Sequence, residues 1–279
     1  MSSPSASEPL AKTPDVPGRA SILVTALNRR GQERFSGTLS LAGDPGGTVT
    51  MRDGLVVAAA TPAAPGPEAL LLRSGRVTEA DWSEAFAAAA PYGRLSAELV
   101  DRELLGAAGV EVVAQVALVD AIFAMALCGV HTCTAATAGS DDLAPLLPVV
   151  PGMEIDRLIR ETVRRLTTAV VWQGLGLTVR SRPHAIGTDP ARREILERAN
   201  GRRTARDLAF ALGRGLYSVM TDLAALIEDG LVEVTGPPAG TRAPRAVPAT
   251  GGDPAPAQEL PRRHRGAALI DGVFPGRTD

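Results

Sequence analysis

The side chains in this sequence that could carry chemistry fall into a few short clusters. Cys128, His131 and Cys133 lie within six residues, and thiolate and imidazole are good zinc ligands. A structural zinc site takes four ligands, usually as short-spaced pairs. There is no second cysteine pair, and His184 and His264 stand apart. We therefore expect both thiols to act as small hydrophobes, with no metal and no cofactor bound. The glycine-rich stretch 43–47 lacks the Gly-Lys-Ser/Thr of a phosphate loop and lies between strand-like runs, so it reads as a hairpin turn. Gly174-Leu175-Gly176 is no stronger a phosphate signal. No Gly-x-Ser-x-Gly elbow occurs, and three scattered histidines supply no base for a nucleophile. Asp141-Asp142 and Glu194/Glu197 read as surface acids. The expectation is a protein without catalytic activity.

The remaining cluster concerns nucleic acid. Arg202, Arg203, Arg206 and Arg214 could hold a phosphate backbone, with Tyr217, Ser218 and Thr221 reading base edges from the following helix. Against this, no basic residue occurs from 216 to 229, and the exposed face there continues with Ala225, Glu228 and Asp229, flanked by Asp222. Over 192–233 seven arginines meet seven acids, so the segment is neutral. Phosphate neutralisation supplies much of DNA affinity, and little of it is on offer. Protein contact or intramolecular docking is the expected role, with DNA binding as the alternative.

These residues need elements to position them. Residues 192–234 read as helix, turn, helix, turn, longer helix and a short strand starting at Leu231. Asn200-Gly201 suits the end of the first helix. Thr204 and Asp207 have the spacing of a capping box, and Ala205, Leu208, Ala209 and Leu212 line one face of the helix that follows. Gly213-Arg214-Gly215 forms the next turn. Leu216, Val219, Met220, Leu223, Leu226 and Ile227 then recur at helical spacing. Three helices and a strand of this kind predict a winged helix-turn-helix over 188–236.

Upstream, Ser21 is placed to cap a helix to about Arg30, with Ile22, Leu23, Ala26 and Leu27 inward. Strands at 35–42, 48–52 and 55–60 form a three-stranded antiparallel meander, since Asp53-Gly54 is a strong hairpin signal. Helices follow from Pro67, over 79–90 behind the cap Thr78 with Trp82, Phe86 and Ala89 inward, and over 95–105. Residues 110–128 are the most apolar run, interrupted by Glu111, Gln115 and Asp120. An aspartate in mid-span argues for a buried central helix over a membrane span. A strand over 129–137, a loop over 139–151 and an amphipathic helix over 153–168 come next. Residues 177–182 read as an edge strand.

Residues 1–18 are Ser/Pro-rich and read as a disordered leader without the pattern of a signal peptide. Residues 236–279 hold 15 Pro plus Gly among 44 and read as a disordered tail. Within it Leu260-Pro261-Arg262-Arg263 precedes an apolar end at Phe274. Arg262, Arg263 and Phe274 are candidate partner-docking residues. The formal net charge is −2, which gives no overall pull toward nucleic acid or acidic membranes. Lys12 is the one lysine among 29 basic residues, a coding bias of GC-rich genomes. Two cysteines cannot make a disulfide framework, so the expected compartment is cytoplasmic, with no membrane association.

Residues 32–128 resemble the PATAN domain of bacterial signalling proteins. The resemblance rests on Phe35-Ser36-Gly37-Thr38-Leu39, on Gly47-Thr48-Val49 through Met51-Arg52-Asp53-Gly54-Leu55-Val56-Val57-Ala58-Ala59, on Glu68-Ala69-Leu70-Leu71 and on Asp120-Ala121-Ile122-Phe123. The arrangement is similar to actinobacterial proteins that join such a domain to a C-terminal winged helix and are labelled transcriptional regulators of MarR type. It implies a protein-interaction module and carries over no catalytic residue. The chain departs from the pattern in having no receiver domain and no aromatics at Gly129-Val130-His131-Thr132-Cys133. Together these readings predict an α+β fold. A leader at 1–18 precedes a PATAN-like domain with a helical extension at 19–182, then the winged helix at 188–236 and a tail at 237–279. The expected function is a regulatory adaptor contacting an unidentified signalling protein, or alternatively a DNA-binding transcriptional regulator.

Overall fold

A computed structural model describes residues 18–139, 144–172, 175–182 and 189–235. The leader up to residue 17 and the tail from residue 236, including Arg262, Arg263 and Phe274, lie outside the described residues. Among the described residues the fold is mixed α and β with two antiparallel sheets.

The first sheet grows from the glycine-rich hairpins. Strands β1 (Gly37–Gly43), β2 (Gly47–Arg52) and β3 (Leu55–Ala60) pair in sequence, with Leu39 opposite Val49 and Met51 opposite Val56. Alternation along β1 and β2 sends Leu39, Leu41, Val49 and Met51 to one buried face. The expected meander is one strand short of the observed sheet. Strand β4 (Val130–Thr137) adds to β1 and gives the order β3-β2-β1-β4. At the other edge Val56 exchanges hydrogen bonds with Met153, and the Val149 N–H donates to the Val57 carbonyl. That strand edge is therefore covered by chain.

Helix α5 (Ala107–Cys128) packs across β3 and forms the middle of the core. Leu118, Ile122, Phe123 and Met125 are at most 1% exposed. Each such side chain contributes roughly 1.5–3 kcal/mol by leaving water. By length and a mean hydropathy of 2.0 the helix resembles a membrane span, but 78% of its most apolar window is buried by the rest of the chain. Around it lie α1 (Ser21–Gln32), α2 (Pro67–Arg73), α3 (Glu79–Ala89), α4 (Leu95–Asp101) and α6 (Ile155–Thr168). Some details differ from the expectation. Ser21 makes no cap, since Ala20 holds that position after a short 3-10 turn. Ile22 is exposed, while Val24 joins Leu23 and Leu27 inside. Phe86 lies half in solvent beside Trp82, because α3 packs on one side only.

The second sheet changes the reading of the C-terminal half. Strand β5 (Thr178–Ser181) was expected at an edge. It is instead the central strand between β6 (Asn200–Thr204) and β7 (Val232–Thr235). Asn200-Gly201 is likewise not a simple helix cap, because pairing of Arg180 with Asn200 and of Val179 with Arg203 draws the segment into a strand. Tertiary pairing overrides the local signal here. Helices α7 (Pro190–Arg198), α8 (Ala205–Leu212) and α9 (Leu216–Glu228) pack against this sheet.

The turn between α8 and α9 is tightly specified. Thr204 accepts from the Asp207 N–H at 3.2 Å while Asp207 accepts from the Thr204 N–H at 3.0 Å, which is the capping box read from sequence. Gly213 ends α8 with a φ of +60°, and a Cβ there would sit 2.3 Å from the Ser74 backbone nitrogen. The chain then bends by 119° into α9. Thr204→Ala should lower unfolding free energy by about 1 kcal/mol in urea titrations. Thr221→Ala, whose hydroxyl only back-bonds to the Tyr217 carbonyl on an exposed face, should be close to neutral.

Candidate functional site

The two halves of the described chain meet at one buried carboxylate. Asp120, in the middle of α5, is 2% exposed. Its Oδ1 accepts a short hydrogen bond from Arg165 of α6. Its Oδ2 faces the first turn of α9, where the Tyr217 N–H donates at 3.4 Å. The first N–H groups of a helix have no partner within the helix, and the positive end of its dipole favours an anion there. Asp120 supplies that anion from another element. Gly215 makes the approach feasible, since a Cβ at that position would lie 2.8 Å from Asp120 Oδ2.

The Tyr217 ring completes the junction. It meets Phe123 edge-on with centroids 5.5 Å apart, and the Arg165 and Arg164 guanidiniums lie 4.6 and 5.5 Å from its centroid. Both arginines also bond Glu161, at 2.7 Å each. Burial pushes Asp120 above the usual carboxylate range, an effect opposed by Arg165 and the α9 N–H groups. Glu161 goes the other way, held down to about 2 mainly by its hydrogen bond from Arg164.

The residues that the alternative, DNA-binding reading would use are thus divided between different surroundings. Tyr217 is half-buried in this junction. Ser218 and Thr221 remain exposed on α9. Arg214 is turned inward and donates to the Ala191 carbonyl at 3.2 Å, to Ser218 Oγ at 3.1 Å and to Asp222 at 2.5 Å. Asp222 also draws Arg192 to 3.6 Å, which ties α7 to α9. Arg202 is exposed on β6.

Arg203 and Arg206 belong to a different surface. They line a groove of about 1040 Å³ together with Arg73 of α2 and Arg198 of α7. None of these four guanidiniums takes part in an ion pair among the described residues. Arg206 lies 5.8 Å from the centroid of the Phe210 ring, and Arg203 donates to the Arg198 carbonyl at 3.4 Å. Leu72, Val77 and Phe210 supply an apolar lining. Arg73 escaped the sequence reading because it is remote in sequence from the C-terminal cluster, and Arg198 because it lies in the preceding helix α7. The sequence shows arginines at 198, 202, 203 and 206 but not which of them converge with Arg73.

Of the cysteine–histidine cluster, His131 and Cys133 sit on the edge strand β4, with His131 exposed and the Cys133 thiol pushed up by burial. No group of three potential metal ligands comes together among the described residues.

Two outcomes test the junction. Arg165→Met leaves Asp120 buried without its cation and should cost about 3 kcal/mol or more, whereas Asp120→Asn with Arg165→Met should recover much of that loss. A double-mutant cycle in urea measures the difference. Glu161 has a depressed folded pKa, so its contribution is present above about pH 4.5 and is lost as pH falls through about 2. The stability gap between the parent chain and Glu161→Gln, about 1 kcal/mol at neutral pH for a partly exposed pair, should close over that interval.

No protein-family model, curated protein or solved structure matches this chain.

Proposed function

We propose that the protein is a non-enzymatic regulatory adaptor, a PATAN-like unit joined to a winged helix, that works through protein contacts in the cytoplasm. The observation that carries the reading is the seating of α9 on Asp120. In a helix-turn-helix the N-terminal residues of the second helix meet base edges. Here the first turn of α9 faces α5 and α6, and Tyr217 is held between Phe123 and two arginines. Arg214, the basic residue nearest that helix end, is consumed by Asp222. The 119° bend between α8 and α9 and the adjoining sheet support the winged-helix assignment. In this form β5, which precedes the three helices, supplies the middle strand.

The rival is a DNA-binding transcriptional regulator. It is favoured by the exposure of Ser218, Thr221 and Arg202 on the C-terminal half. The two readings separate on the full-length chain. A fragment starting at 188 would lack the central strand of its own sheet. We expect no tight binding of duplex DNA by fluorescence anisotropy between low and physiological salt. Micromolar or tighter binding with a steep salt slope, lost in Arg202→Ala/Arg203→Ala, would overturn the adaptor reading.

A further inference from the structure

We infer that the groove between α2 and α8 is a docking site for an extended peptide of a partner protein that alternates acidic with apolar side chains. The inference rests on the adaptor reading and names the chemistry of its partner. Four guanidiniums from four elements converge there: Arg73, Arg198, Arg203 and Arg206. Arg198 and Arg203 are partly buried and each donates to a backbone carbonyl at 3.4 Å, while Arg73 and Arg206 are exposed. Guanidinium pairs with carboxylate through parallel N–H bonds, which gives direction as well as attraction.

The groove also contains three carboxylates, and their positions matter. Glu68 and Glu79 lie in the first turns of α2 and α3, where the helix dipole favours an acid, and Asp207 is bound into the capping box. These acids answer local needs of helix ends and leave the four arginines to an incoming ligand. Between the charges lie Leu72, Val77 and Phe210. At about 1040 Å³ the space lies at the upper end of the roughly 300–1,000 Å³ of ligand sites and has room for a stretch of peptide lying along it.

A peptide fits this pattern better than nucleic acid does. Its acids can sit opposite the arginines and skip the carboxylates, whereas a phosphate strand carries a charge at every step. Among the described residues Phe210 is the one aromatic side chain lining the groove, so successive bases would find no series of stacking platforms. The protein's own tail is excluded on charge, since residues 236–279 carry six arginines against four acids.

The test uses the labelled full-length chain on an array of peptides of about a dozen residues, permuting Asp or Glu with Leu, Ile or Phe. Matched arrays carry Asn and Gln in place of the acids, or the acids with Ser in place of the apolar residues. Binding confined to the acidic–apolar array is expected, weakened about tenfold or more by Arg73→Glu/Arg206→Glu. The equal charge change Arg157→Glu/Arg160→Glu, on the exposed face of α6, should leave it unchanged. Circular dichroism shows that each variant is folded. Equal binding to the amide array, equal loss in both variants, or retention in Arg73→Glu/Arg206→Glu would overturn the inference. Absence of peptide binding together with absence of DNA binding would remove this inference and leave the adaptor reading standing. Tight DNA binding abolished by Arg73→Glu/Arg206→Glu would remove both.

Discussion

A carboxylate placed in the middle of the most apolar helix must be neutralised, and the packing of this protein follows from how that is done. Asp120 is 2% exposed, and the adjoining turns of its face of α5 carry Val116, Ala117, Phe123 and Ala124, side chains that offer no hydrogen bond. Isolated, its charge would cost several kcal/mol. Arg165 brings a countercharge and α9 brings its unpaired N–H groups. Satisfying one residue of α5 therefore fixes the position of α6 and of the C-terminal helices together. Replacing the pair by apolar groups need not weaken the fold, so its contribution is as much to geometry as to stability.

That geometry redistributes the basic residues. Four arginines close together in sequence suggested a phosphate-binding surface. Folding turns Arg214 into an internal strut to Asp222, leaves Arg202 outside and sends Arg203 and Arg206 to meet Arg73 and Arg198. Charge is thereby removed from the helix end that would face DNA and gathered in a groove between the two halves. The same arrangement pins the turn at Gly213 against the end of α2, where there is no room for a side chain. Residues next to that contact belong to both: Arg73 and Phe210 line the groove, and Gly215 and Tyr217 meet Asp120.

The long helix shows why composition alone misleads about environment. α5 has the apolarity of a membrane span, yet the first sheet, α2, α4, α6 and α9 cover it. Its small residues Ala114, Ala117, Ala121 and Ala124 allow these elements to come close, and all four are buried. The sheet and the surrounding helices provide the burial that lipid would otherwise supply.

The sequence by itself determined the elements whose causes are local. The Asp53-Gly54 hairpin, the Thr204–Asp207 capping box and the apolar stripe of α9 were all legible, because turn chemistry and periodicity act over a few residues. It also flagged Asp120 as an oddity within an apolar run. Only the tertiary structure decided what that oddity does. The partners Arg165 and Tyr217 lie 45 and 97 residues away, and nothing local marks them. The same holds for β5, whose four residues became a central strand only when β6 and β7 closed on both sides. Short strands and single charges carry too little local free energy to declare their place. Their roles are set by long-range pairing, which is why the fold class could be read and the junction and groove could not.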